Sequence, residues 1–100
     1  MSDNVEASNP DLSLDEHKAY IDEFGYAYIE GAVKNNTNEN YPYAEIEFNF
    51  YDDDDAFVGK AIDNTTDLEA GGTWEFKAVS LGDVRSADKY ALVILRGMKL

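Results

Sequence analysis

Four consecutive aspartates, Asp52 to Asp55, are the residues of this sequence best placed to hold a hard cation. Calcium takes roughly six to eight oxygen ligands, and a turn can converge several carboxylates on one ion. The EF-hand spacing fails, however. Counting from Asp52 or Asp53, Ala56 or Phe57 falls where an oxygen ligand belongs, and no glycine stands at the sixth position. The run reads first as a solvated hairpin turn and second as a weak calcium site. His17, the single histidine, lies among Asp15, Glu16 and Lys18. General-base chemistry would need a nucleophile and an orienting group within hydrogen-bond reach, and no Gly-x-Ser-x-Gly or comparable element is present. An exposed histidine in a charged run is the expectation. The absence of cysteine excludes thiolate metal sites, disulfides and cysteine nucleophiles. No enzyme and no resident cofactor are expected.

Two other residue patterns point to ligands or modification. Asn35-Asn36-Thr37 and Asn64-Thr65-Thr66 fit the N-glycosylation acceptor pattern, although Asn and Thr are also good turn residues. Tyr20, Tyr26, Tyr28, Tyr41, Tyr43 and Tyr51 crowd the first half of the chain. Tyr26 and Tyr28 share one face of a strand, opposite Ile29, and Tyr43 shares a face with Glu45 and Glu47. If those two strands are neighbours, a Tyr/Glu outer surface results that could stack sugars or dock a peptide. The same tyrosines have an explanation without a ligand, because cross-strand aromatic pairs stabilise sheets by roughly 0.2–1 kcal/mol each. Trp74 reads as core, its indole N–H finding a carbonyl at the rim.

Charge narrows the partner classes. Twenty-one Asp and Glu against eight Lys and Arg leave a net charge of −13. A nucleic-acid binder needs a basic stripe, and no two of the cations are adjacent in sequence. An anionic membrane surface would repel such a chain. No stretch approaches the length of about 18 apolar residues that spans a membrane, and no secretory signal is visible. Two explanations of the acidity stand: an ordinary acidic protein, or adaptation to high salt, where a dense carboxylate coat keeps a protein hydrated and monomeric.

The elements that must carry these residues are strands. One hundred residues suffice for one domain, and 44% apolar residues suffice for a core. Residues 1–11 read as a flexible lead-in and 12–100 as the folded domain. Apolar residues from Leu12 onward recur with period two, predicting strands over 12–22, 26–36, 43–52, 56–65, 73–80 and 89–97. Ile46, Phe48 and Phe50 alternate with Glu45, Glu47 and Asn49, which sends the first set inward. Ala27, Ile29 and Val33 do the same, as do Trp74, Phe76 and Ala78. Tyr90 to Leu95 is nearly all apolar and is expected to be central, covered on both faces. Ser80 to Asp88, the longest link, suggests a short helical turn capped by Asp83 or Ser86. Turn signals every eight to twelve residues predict an all-β, antiparallel sandwich of about six to seven strands.

Phe48-Asn49-Phe50-Tyr51-Asp52 resembles the Phe-x-Leu-Tyr-Asp signature of the FxLYD domain family, with Phe50 in the Leu position. Gly31-Ala-Val33-Lys-Asn35-Asn36 is similar to that family's Gly-x-Val-x-Asn strand. Asp52 followed by Val58-Gly59 resembles its Tyr-Asp-x-x-Gly hairpin, with the glycine later than usual. Leu68 to Gly71 and on to Phe76 resembles its Leu-x-Pro-Gly segment, with Ala70 where Pro is common. The likeness runs from Tyr20 to Tyr90. It implies an immunoglobulin-like β-sandwich, carried by exported or membrane-anchored prokaryotic proteins, hence an extracellular or cell-surface setting. It implies no catalytic residue. The leading expectation is a non-catalytic interaction or structural module whose partner is a protein or cell-envelope component, added at an open sheet edge. The alternative is a ligand- or calcium-binding module using Asp52–Asp55 or the tyrosine face of Tyr26, Tyr28 and Tyr43.

Overall fold

The computed structural model describes residues 1–3 and 10–99, and among them no helix forms. Seven strands make one sheet: β1 (Ser2–Asp3), β2 (Leu12–Ile21), β3 (Ala27–Asn35), β4 (Tyr41–Tyr51), β5 (Phe57–Leu68), β6 (Thr73–Ser80) and β7 (Lys89–Met98). Their order across the sheet is β1-β7-β4-β5-β6-β3-β2. The period-two pattern builds these strands as expected. In β4 the inward residues Ala44, Ile46, Phe48 and Phe50 are at most 1% exposed, while Glu45, Glu47 and Asn49 are half-buried between them. β6 alternates without a break, Trp74, Phe76, Ala78 and Ser80 buried and their neighbours exposed.

Pairing corrects the expected all-antiparallel arrangement. Five neighbouring pairs are antiparallel, but β1 lies parallel to β7, with Ser2 opposite Lys89 and Asp3 opposite Tyr90, so the sheet is mixed. The short turns joining β2 to β3, β4 to β5 and β5 to β6 force antiparallel pairing, whereas β1 reaches β7 without one. β5 and β6 pair only at Ala61–Ser80 and Ile62–Val79, which leaves a narrow seam between the β1-β7-β4-β5 half and the β6-β3-β2 half. The sheet curls until its far ends meet: Nδ1 of His17 on β2 lies 2.8 Å from the Tyr90 hydroxyl on β7. The result is a half-barrel, 41 × 23 × 21 Å, filled by the inward residues of both halves.

Two further expectations change. β7 is not covered on both faces; only Tyr90 is buried, and Val93 is 48% exposed. The reason is position, since among the described residues only the two of β1 lie beyond β7 in the sheet, and a bulge between the Glu47 and Phe48 pairings turns Val93 outward. The link from Ser80 to Asp88 forms no helix either. It is a turn closed by Ala87 N–H on Val84 O, with Asp83 Oδ1 accepting from Arg85 N–H, and it drops Val84 into the core against Gly59.

Candidate functional site

The outer surface is built by the register. Outward residues of six strands fall in one line: Tyr20 (β2), Tyr28 (β3), Val79 (β6), Ile62 (β5), Glu47 (β4) and Ile94 (β7). Tyr20, Ile62 and Val79 are 39%, 41% and 36% exposed. The Tyr20 and Tyr28 rings stack with centroids 5.2 Å apart, and Lys77 Nζ sits 5.1 Å from the Tyr28 centroid. Phe24, Tyr26 and Leu81 extend the apolar surface at one end, where Leu81 N–H donates to Lys60 O and continues the β5–β6 pairing by one residue. Exposed apolar groups gathered in one place mark contact surfaces more often than the same groups scattered singly.

The β2–β3 hairpin holds the tyrosines in place. Asp22 Oδ1 accepts from the N–H of Phe24 and of Tyr26, and Oδ2 accepts from the Tyr28 hydroxyl at 3.0 Å. Partial burial works to raise the Asp22 pKa, but these donors win and hold it below the usual carboxylate value. The same bond to Asp22 pushes the Tyr28 phenol up. Glu30 takes the Tyr20 hydroxyl and lies between Lys18 and Lys77, 3.7 and 3.8 Å away. An open cleft of about 540 Å³ lies beside this cluster, floored by Gly31 and Ala32 and walled by Lys18, Lys77 and Glu75.

The tyrosines named from sequence are only partly brought together. Tyr26 and Tyr28 lie on this surface. Tyr43 does not join them, because β6 and β5 stand between β3 and β4; its hydroxyl donates to Glu45 on its own strand. The proposed Tyr/Glu surface across β3 and β4 is therefore corrected to a Tyr/Val/Ile surface across β2, β3, β6 and β5. Ile62 and Val79 were the missing members. Their signal is phase: Val79 is an apolar residue out of step with Trp74, Phe76 and Ala78.

At the β4–β5 turn, Asp52, Asp53 and Asp54 can bring one carboxylate oxygen each within 4.8 Å of one another. Asp52 Oδ1 already accepts from the N–H of Asp54 and Ala56, which shapes the turn, and Asp55 is paired with Lys89 instead. Asp55 has φ 63°, so the tip is tightly bent. The carboxylates fold the hairpin in this arrangement.

The two glycan candidates separate. Asn64 is exposed on β5. Asn35 is fully buried, and its amide nitrogen donates to the carbonyls of Glu39, Leu68 and Glu69, so the atom a sugar would need is turned inward. That expectation is corrected: Asn35 ties the β3 end to two loops. His17 is likewise not a freely solvated residue but half-buried on Tyr90. Burial, with Asp3 adding to it, raises the Tyr90 pKa to about 12, which keeps this phenol protonated as a hydrogen-bond partner.

No family model matches the sequence, and no curated protein matches it. Among solved structures, the crystal structure of a DUF1425 family member from Shewanella sp. pv-4 is similar, with a TM-score of 0.62 and 15% identity over 89% of this chain and 80% of that one. At that identity the likeness is one of fold.

Proposed function

We propose that this domain is a non-catalytic interaction module of an exported or surface-anchored prokaryotic protein, and that it meets its partner through the outer face of β2, β3, β6 and β5. The observation that carries this reading is the line Tyr20, Tyr28, Val79 and Ile62, left accessible on a chain with a net charge of −13. On so acidic a chain the clustering of apolar side chains here needs a cause, and contact with another molecule supplies one.

The curled sheet is read as a variant of the immunoglobulin-like sandwich, and the FxLYD likeness is consistent with what its motif residues do. Phe48, Phe50 and Val33 fill the core, Asp52 shapes the hairpin, and Asn35 binds the loops together. Gly31 lies where an added Cβ would meet the Glu16 carbonyl oxygen at 2.4 Å. Each of these is a structural task, in keeping with a motif that marks a scaffold rather than a catalyst. Addition of a partner strand at β2 is less well supported than contact on the face. That edge carries a bulge between Leu14 and His17 and the charges of Asp15, Glu16 and Lys18, the features by which edge strands resist pairing.

The test is affinity capture from extracts of the source cells on immobilised domain, run beside Ile62→Lys and Val79→Lys. A partner retained by the parent and lost on both variants supports the reading. Equal retention on all three overturns the assignment to this face.

A further inference from the structure

We infer that Asn64 is a modification site, the point at which an N-linked sugar is attached; the inference rests on the reading of the domain as exported. The chain has two Asn-x-Thr triplets, and the fold separates them. At the first, Asn35 is 0% exposed and its amide nitrogen is taken up by the carbonyls of Glu39, Leu68 and Glu69. The threonine of that triplet is engaged as well, the Thr37 hydroxyl donating to Asn35 Oδ1 at 2.7 Å. At the second, Asn64 and Thr66 are both exposed. Side chains two apart on a strand share a face, so these two point outward together with Ile62. Among the described residues, neither the Asn64 amide nor the Thr66 hydroxyl has a hydrogen-bond partner; only the backbone N–H of Asn64 and the carbonyl of Thr66 are bonded locally.

The chemistry needs a free amide nitrogen with a hydroxyl two residues on. A glycosyl phosphate is the co-substrate. The Asn64 nitrogen bonds to the anomeric carbon of the sugar, the bond from that carbon to the phosphate oxygen breaks, and the phosphate leaves with the electron pair. The proton lost by the amide passes to the departing phosphate, and nothing is oxidised or reduced. At Asn35 the nitrogen must first abandon three carbonyls and the core, which costs the buried bonds outright. At Asn64 no bond is given up. The surroundings of Asn64 are polar too. Its partner across the β4–β5 ladder is Glu45, which is paired with Arg96, so sugar hydroxyls would meet charged groups there. From Asp63 onward β5 is laddered to β4 alone, which leaves its backbone freer to adjust to an enzyme than a strand paired on both sides.

Mass spectrometry of the intact chain, purified from each fraction of its source cells, tests this. Trypsin cuts after Lys34, Lys60 and Lys77, which puts Asn35 and Asn64 in different peptides, residues 35–60 and 61–77. The expected result is a sugar mass on residues 61–77, none on residues 35–60, and a chain correspondingly heavier than 11.2 kDa. Asn64→Gln and Thr66→Ala, produced in the same cells, should lose the added mass, and Thr66→Ser should keep it. All three should unfold at the same urea concentration as the unglycosylated parent, because the side chains they change hold no bond. A bare 61–77 peptide from chain found outside the cell overturns the inference and leaves the export reading standing. A sugar on residues 35–60 overturns it as well, since the fold would then not have chosen between the triplets. Chain found only inside the cell, and bare, removes the export reading and the inference together.

Discussion

Asn35 shows how much one side chain can hold. Its amide nitrogen reaches three carbonyls, and its oxygen accepts from the N–H and hydroxyl of Thr37, so a single buried residue fastens the end of β3 to the loops before β4 and after β5. Asn35→Ala deletes all of these bonds at a fully buried position and should cost roughly 2–3 kcal/mol, read as a lower midpoint in urea unfolding. An unchanged midpoint would refute this account. Tyr90 has a second measurable consequence. Its folded pKa of about 12 lies above the ordinary phenol value of 10.0, so its contribution is complete below pH 10 and is lost as pH rises toward 12. Over that interval stability should fall by up to about 1.4 kcal/mol per pH unit, and Tyr90→Phe should remove that part of the slope. Neither residue announced itself in the sequence. An Asn beside a turn and a Tyr at the start of an apolar run have ordinary local explanations, and the partners that give them their tasks lie 33 and 73 positions away.

At the scale of the strands, composition was far more informative. Alternation in 43–52 and 73–80 placed β4 and β6 within two residues and put Ile46, Phe48, Phe50, Trp74, Phe76 and Ala78 on the buried side, although not Tyr41, Ala44 or Ser80, which are buried as well. Neighbour order was not legible, because period two states which way a residue points and says nothing about which strand lies alongside. A shared Tyr43 and Tyr28 surface depends on β3 and β4 being neighbours, and two strands separate them. The β2 bulge at Asp15 and Glu16 was equally hidden, although Gly31 abuts it. An added Cβ there would meet Glu16 O at 2.4 Å, His17 Cβ at 2.9 Å and Phe76 Cε2 at 3.0 Å. Gly31→Ala must therefore push β2 off β3 and should destabilise the fold by about 2 kcal/mol. Denaturant unfolding checks it; a loss below about 0.5 kcal/mol would mean that the bulge moves freely.

For the whole molecule, the charge balance was readable at once and its distribution was not. Among the described residues, seven ion pairs engage seven of the eight cations but only six carboxylates, since Glu30 serves two lysines. Most acidic groups among the described residues have no cation beside them. Raising salt from 0.1 to 1 M shortens the screening length from about 10 Å to 3 Å, which relieves repulsion among them more than it weakens exposed pairs worth well under 1 kcal/mol each. The melting temperature should rise by several degrees over that range, followed by calorimetry, and a flat or falling curve would count against salt adaptation. The seam bears on how this molecule breathes. With two ladder pairs, Ala61–Ser80 and Ile62–Val79, and the bond from Leu81 N–H to Lys60 O joining the backbones of β5 and β6, parting the half-barrel there breaks fewer backbone bonds than parting it anywhere between the longer strands. Amide protons along the facing stretches of β5 and β6 should then exchange with solvent before those of the β4–β5 ladder, and anything that spans Ile62 and Val79 from outside would act as a stitch across the cleft.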